Sequence, residues 1–141
     1  LTINKDEEPQ LTNEIVPLRE GLFRETPQGA VLLGMRCRAC GQVHFPSTGL
    51  CLNCLAEDVE ECELSREGEL FCETTVHMKT SHFNPPYRVG YVKLPEGLKI
   101  FAPLRAVEGK PFTVGMKMRV EVAPLWSEDG RDVTAYRFYP C

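Results

Sequence analysis

The chain contains Cys37-Arg38-Ala39-Cys40, ten further residues, and then Cys51-Leu52-Asn53-Cys54. Each C-x2-C pair folds into a tight knuckle that aims two sulfurs at one point. Two knuckles on facing hairpins complete the tetrahedron that zinc takes from four thiolates. Gly41 follows Cys40 directly, where the chain must turn back without a Cβ in the way. Two disulfides, each closing its own C-x2-C loop, would constrain almost nothing, and a redox C-x2-C centre does not call for a second copy. The spacing therefore predicts a bound Zn2+ on Cys37, Cys40, Cys51 and Cys54. Four thiolates fill a tetrahedral shell, so the ion is structural and not a Lewis acid. His44 raises a three-Cys, one-His alternative, but with four cysteines at ligand spacing it is assigned to the surface.

Such a cluster folds a segment too short for its own core, and the remaining sequence must supply a second body. Eleven glycines and eleven prolines in 141 residues oppose long helices and favour short strands joined by turns. From residue 69 the apolar period is two. Leu70, Cys72, Thr74, Val76 and Met78 alternate with Phe71, Glu73, Thr75 and His77, which places Cys72 on the apolar face as a buried small residue. Tyr91–Leu94 and Leu98–Phe101 flank the turn Pro95-Glu96-Gly97, Met116–Val122 alternates again, and Asp132–Tyr139 follows the turn Glu128-Asp129-Gly130. Five strands of this length suit a small closed barrel, in which closure removes exposed edges. Ala30–Met35 is a further strand.

The expected organisation is an N-terminal arm over 1–28, a ribbon over 29–60 and a barrel over 61–141. The arm is polar and acidic at first and contains one helical turn between Pro17 and Glu25. Residues 57–73 carry eight acids against the single base Arg66, a pattern that reads as a solvated linker and strand edge. Residues 1–73 hold 6 basic and 14 acidic side chains, residues 74–141 hold 10 and 6. An anionic ligand therefore prefers the C-terminal half. No apolar run reaches the length of a membrane helix, no charged-then-apolar leader is recognisable, and the cysteine spacing points to the cytoplasm.

No nucleophile, base or open metal position emerges for catalysis. Cys72 and His77 sit five apart on one strand and face opposite ways. The loop His82-Phe83-Asn84-Pro85-Pro86-Tyr87-Arg88 is different: prolines stiffen it, so Phe83 and Tyr87 are presented at modest entropic cost. His82, Phe83, Tyr87 and Arg88 are the candidate contacts to a partner or ligand. A competing reading takes Tyr91, Lys93, Lys99, Phe101 and Arg105 as a face for single-stranded nucleic acid. The net charge of −4 and the acidic run oppose it.

The run Gly34-Met35-Arg36-Cys37-Arg38-Ala39-Cys40-Gly41, Phe45-Pro46, the second C-x2-C, Thr75-Val76-His77, Pro85-Pro86-Tyr87 and Gly90–Gly97 resembles one family in order and spacing. That family, domain of unknown function 35, joins a rubredoxin-like zinc ribbon to an OB-fold barrel. Leu52 stands where many relatives have proline, and Ser47-Thr48 replaces a Pro-Arg step, without loss of a ligand. The resemblance implies a mostly β fold with the ribbon packed on a five-stranded OB-like barrel. It implies an accessory subunit of an acyl-CoA enzyme: a thiolase, a thiolase-like aldolase, a hydroxymethylglutaryl-CoA synthase assembly or a hydratase. The partner it implies is a thiolase-fold large subunit in a two-plus-two heterotetramer, with a coenzyme A thioester as ligand of the complex and catalysis on the larger chain.

Overall fold

A computed structural model describes residues 14–141; the first part of the expected arm lies outside them. Ten strands form the described chain: β1 (Glu14–Pro17), β2 (Phe23–Thr26), β3 (Gly29–Cys37), β4 (Val43–His44), β5 (Val59–Glu63), β6 (Glu67–Val76), β7 (Tyr87–Lys93), β8 (Lys99–Leu104), β9 (Lys117–Glu128) and β10 (Arg131–Pro140). The helical turn expected between Pro17 and Glu25 does not form. Residues 14–17 instead lie parallel to the start of β10, and β2 pairs with β3. Gly21 takes a left-handed φ of 77° between the two short strands, which ends any helical start.

Strand β3 organises the ribbon. Its first half pairs with β2, and its second half lies between β4 and β5. Val31, Leu32, Leu33, Met35 and Cys37 are all buried, so this strand is covered on both faces. The first part of the acidic segment forms β5, an edge strand paired with β3 alone, so the strand-edge half of the expectation holds and the linker half does not for residues 59–63. Four of the segment's acids are paired across the ribbon: Arg24 bridges Glu61 and Glu63 at 2.7 and 2.6 Å, and Arg38 bridges Asp58 and Glu60 at 2.8 and 3.2 Å.

The barrel closes in the order β6-β7-β8-β10-β9, with β9 returning to β6. The link between β8 and β10 is parallel and short, with Phe138 beside Leu104. This is the five-stranded barrel of the OB fold. Two glycines allow its tight curvature: a Cβ on Gly68 would collide with the Lys93 carbonyl, and one on Gly90 with the Cys72 carbonyl. Ribbon and barrel share one core. Leu32 and Leu64 join Leu70, Val92, Leu94, Ile100, Met118 and Phe138 in a single buried cluster. Phe45 packs edge-on against Tyr136 at 5.6 Å. Ser65 also caps the junction, donating from its N–H and hydroxyl to Glu96 at 2.8 and 3.0 Å.

The expected alternation holds in β7 and β8, is interrupted by a register shift between β9 and β10 at Val133/Thr134, and breaks in β6. A register shift between Leu70 and Cys72 inserts Phe71 as a bulge, after which each side chain moves to the opposite face. Leu70 is buried, but Cys72 is exposed. The expectation of a buried Cys72 fails because simple alternation cannot register an extra residue.

Glu121 is held by Arg105 and Arg137 at 2.6 and 2.5 Å. Partial burial raises its carboxyl, but hydrogen bonds and charge from the two guanidinium groups outweigh burial and leave its pKa lowered. A carboxyl depressed in the folded state contributes stability above its unfolded pKa and loses it as pH falls through the folded value. Glu121→Gln should therefore lower stability by about 1 kcal/mol at pH 7. Thermal unfolding followed over pH should show the variant and the parent converge below roughly pH 4.

Candidate metal centre and barrel-face cavity

The two knuckles are built alike. In the first, the Gly41 N–H donates to the Cys37 carbonyl at 2.8 Å and the Cys37 N–H to the Gln42 carbonyl at 2.9 Å. In the second, Leu55 and Ala56 repeat these bonds to Cys51 at 2.8 and 2.9 Å. The turns bring Cys37, Cys40, Cys51 and Cys54 together with all four sulfurs within 4.8 Å of one another. The Sγ atoms of Cys37 and Cys54, and of Cys40 and Cys51, lie 3.6 Å apart. A disulfide is about 2.05 Å, and none of these cysteines is bridged. Four sulfurs at about 2.3 Å from zinc would stand about 3.8 Å from one another. The set fits zinc.

Electrostatics points the same way. The Gln42 N–H and the Asn53 amide lower the Cys40 thiol to about 6. At Cys54 the Ala56 N–H acts downward, but the Cys37 sulfur, burial, and the sulfurs of Cys51 and Cys40 outweigh it and push the thiol up to about 12. One thiolate forms readily and the last does not, because like charges converge. A divalent cation removes that conflict. With four thiolates bound, the ion would keep no position for water or substrate.

His44 is neither a ligand nor a surface bystander. It is half-buried, with Nε2 3.3 Å from the Cys51 sulfur. A metal-bound thiolate would accept a hydrogen bond here, which the Nε2–H tautomer of His44 supplies. The Cys40 N–H reaches Cys37 at 3.4 Å and the Asn53 amide reaches Cys40 at 3.6 Å, so three of the sulfurs have such donors.

On the outer face of the barrel lies a cavity of about 430 Å³ with largely apolar walls. His82 stacks on Trp126 at 4.3 Å with ring planes 19° apart; Phe83 meets Trp126 edge-on at 5.6 Å and Tyr87 at 5.2 Å. The structure thus brings together His82, Phe83 and Tyr87 of the expected contacts. Arg88 is not in the cavity wall. It alternates with Tyr87 along β7, binds Glu73 at 2.6 Å and lies 4.9 Å over the Phe112 ring. Sequence reasoning missed Leu18, Leu125, Trp126 and Tyr136, which also line the cavity, and Phe101 of the competing nucleic-acid face belongs to the same wall. The lone tryptophan beside the Glu128-Asp129-Gly130 turn was the available signal; nothing in the sequence pairs Leu18 with it. Of the residues for the competing nucleic-acid face, Tyr91 and Phe101 stand exposed with rings 5.2 Å apart. Lys99 lies 4.2 Å over Phe71, and Arg105 is engaged by Glu121, which removes it as a free phosphate contact. Among the described residues, no helix is long and apolar enough to cross a membrane.

Two family patterns match the chain: the ChsH2 rubredoxin-like zinc ribbon domain over residues 31–60 and the ChsH2 C-terminal OB-fold domain over residues 61–123. The chain is 36% identical over 110 residues to benzoylsuccinyl-CoA thiolase subunit BbsA of Thauera aromatica, covering 76% of this chain and 74% of that protein. It is 34% identical over 125 residues to a DUF35 domain-containing scaffold protein of Methanocaldococcus jannaschii, covering 84% and 87%. Among solved structures, the Ltp2-ChsH2(DUF35) aldolase superposes with a TM-score of 0.64 at 23% identity, covering 78% of this chain and 84% of that one. That last likeness is one of fold.

Removing the metal should unfold the knuckles and spare the barrel, whose strands close on themselves. A chelator is expected to release one zinc per chain, and in metal-free Cys51→Ser the amides of residues 36–55 should lose hydrogen-exchange protection while β6–β10 keep theirs. His44→Phe should lower metal affinity about tenfold in chelator competition, with His44→Gln, which still offers an N–H, recovering most of it.

Proposed function

Because the chain belongs to the family that joins a ChsH2-type zinc ribbon to an OB-fold domain, we propose that it is a non-catalytic accessory subunit of a heteromeric acyl-CoA thiolase. The observation that carries this reading is the similarity to a benzoylsuccinyl-CoA thiolase subunit over 74% of that protein's length. Benzoylsuccinyl-CoA thiolysis, in the breakdown of an aromatic compound, is the reaction we assign to the complex.

The chemistry of the chain is in keeping with this role. A tetrathiolate zinc holds a shape and performs no step. Arg88, Arg105 and Arg137 are held in ion pairs with Glu73 and Glu121, and the walls of the barrel cavity are largely apolar. That cavity offers what a docking or thioester-contacting face needs: rigid aromatic rings with few polar groups. His82, Phe83 and Tyr87, with Trp126 behind them, are the contacts we assign to the large subunit or the acyl-CoA it binds. Arg88 belongs to the Glu73 pair and is left out. In this reading the large subunit carries the reactive groups, the complex is a two-plus-two heterotetramer, and the setting is the cytoplasm, where free thiols stay reduced. A scaffold role beside another acyl-CoA enzyme is the second reading, favoured by the similarity to the M. jannaschii scaffold protein.

Co-expression with a thiolase large subunit should yield a stable complex in light scattering, and benzoylsuccinyl-CoA thiolysis should need both chains. Turnover by the isolated polypeptide would overturn the reading. Tyr87→Ala should weaken the complex, or raise KM for the thioester, by about tenfold, with zinc content unchanged.

A further inference from the structure

The two knuckles share one hydrogen-bond pattern but differ at the residue that closes the turn. Gly41 closes the first with φ of 81°, and Leu55 closes the second with φ of 67°. The left-handed region is natural for glycine and unfavourable for leucine, whose Cβ crowds the following carbonyl oxygen. Leu55 obtains no burial in return, being 69% exposed, and Leu52 in the same turn is 65% exposed. Two apolar side chains thus project from the end of the ribbon, one of them in a backbone conformation that a smaller residue would occupy at lower cost.

We infer that Leu52 and Leu55 form an apolar anchor for a protein surface, namely a small apolar pocket bordered by lysine or arginine. The charge around the tip selects that partner. A zinc tetrathiolate carries a net charge of about −2, and Cys40 and Cys54 are exposed beside the leucines. Glu57, two residues beyond Leu55, is exposed and forms no ion pair among the described residues. Asp58 and Glu60 share the single guanidinium of Arg38. Such a tip is repelled by nucleic acid and by anionic lipid, and complements an apolar pocket with a basic rim. Two leucines cover far less than a stable interface needs, so they act as one anchor within a larger contact. Resting on the proposed function, the inference assigns that pocket to the large subunit.

The experiment measures affinity of the full chain for the co-expressed thiolase large subunit. Leu52→Ser/Leu55→Gly should weaken the complex about tenfold with zinc content unchanged, while Leu52→Met/Leu55→Met, which keeps the apolar volume, should hold parental affinity. Glu57→Lys should weaken it further at low salt than at high salt. Leu55→Gly alone should leave Tm unchanged or higher. A complex that forms but ignores the Ser/Gly change overturns the anchor and leaves the proposed function standing. A fall in Tm of about 3 °C or more for Leu55→Gly also overturns it, since Leu55 would then serve the fold. Failure of the parent chain to bind any thiolase large subunit overturns the proposed function and the anchor with it.

Discussion

Four sulfur atoms drawn within 4.8 Å of one another dominate the energetics of the N-terminal half. Their approach is unfavourable while the thiols must share charge, as the opposed behaviour of Cys40 and Cys54 indicates. It becomes strongly favourable once a dication stands among them. The knuckle hydrogen bonds, the donors from His44 and Asn53 and the burial of Cys37 and Cys51 all serve that convergence. The same strand that delivers Cys37 also delivers Leu32 to the common core. The ligand cluster is thereby coupled to the barrel through β3, and Leu64, Phe45 and Ser65 add further contacts, so the ribbon cannot tilt freely on it.

This coupling explains the division of labour along the chain. Local spacing, read over eighteen residues, determines the metal centre. Non-local pairing determines the barrel, in which β10 touches both β8 and β9 and closes the sheet. Surface charge is arranged in compact pairs on the outside, such as Glu73 with Arg88 and Glu121 with Arg105 and Arg137. Two apolar features stand apart from these pairs: the cavity around Trp126 and the leucines of the second knuckle.

The legible features of the sequence were those with short-range signatures. The four ligands follow from their spacing, and all five barrel strands follow from alternation and turn residues such as Pro95-Glu96-Gly97. The less legible features depend on events without a local signal. The bulge at Phe71 turns Cys72 outward although its neighbours alternate in a regular way. Pro17–Glu25 contains helix-compatible residues, yet β10 and β3 offer partners to Ile15 and Phe23 and the extended pairing prevails over local propensity. His44 is adjacent to the metal ligands in space because β4 pairs with β3, a contact that counting residues does not reveal. Arg88 illustrates the opposite error: it is next to Tyr87 in sequence and on the other side of the sheet.

Trp126 is the sole tryptophan of the chain, and it lies against an imidazole in the wall of the barrel-face cavity. Its indole emission is therefore a built-in optical reporter for that one place. The His82 ring stacked on it at 4.3 Å forms part of the indole's surroundings, so anything that enters the cavity or parts the rings alters the emission. The protein needs no attached dye to disclose when this face is covered.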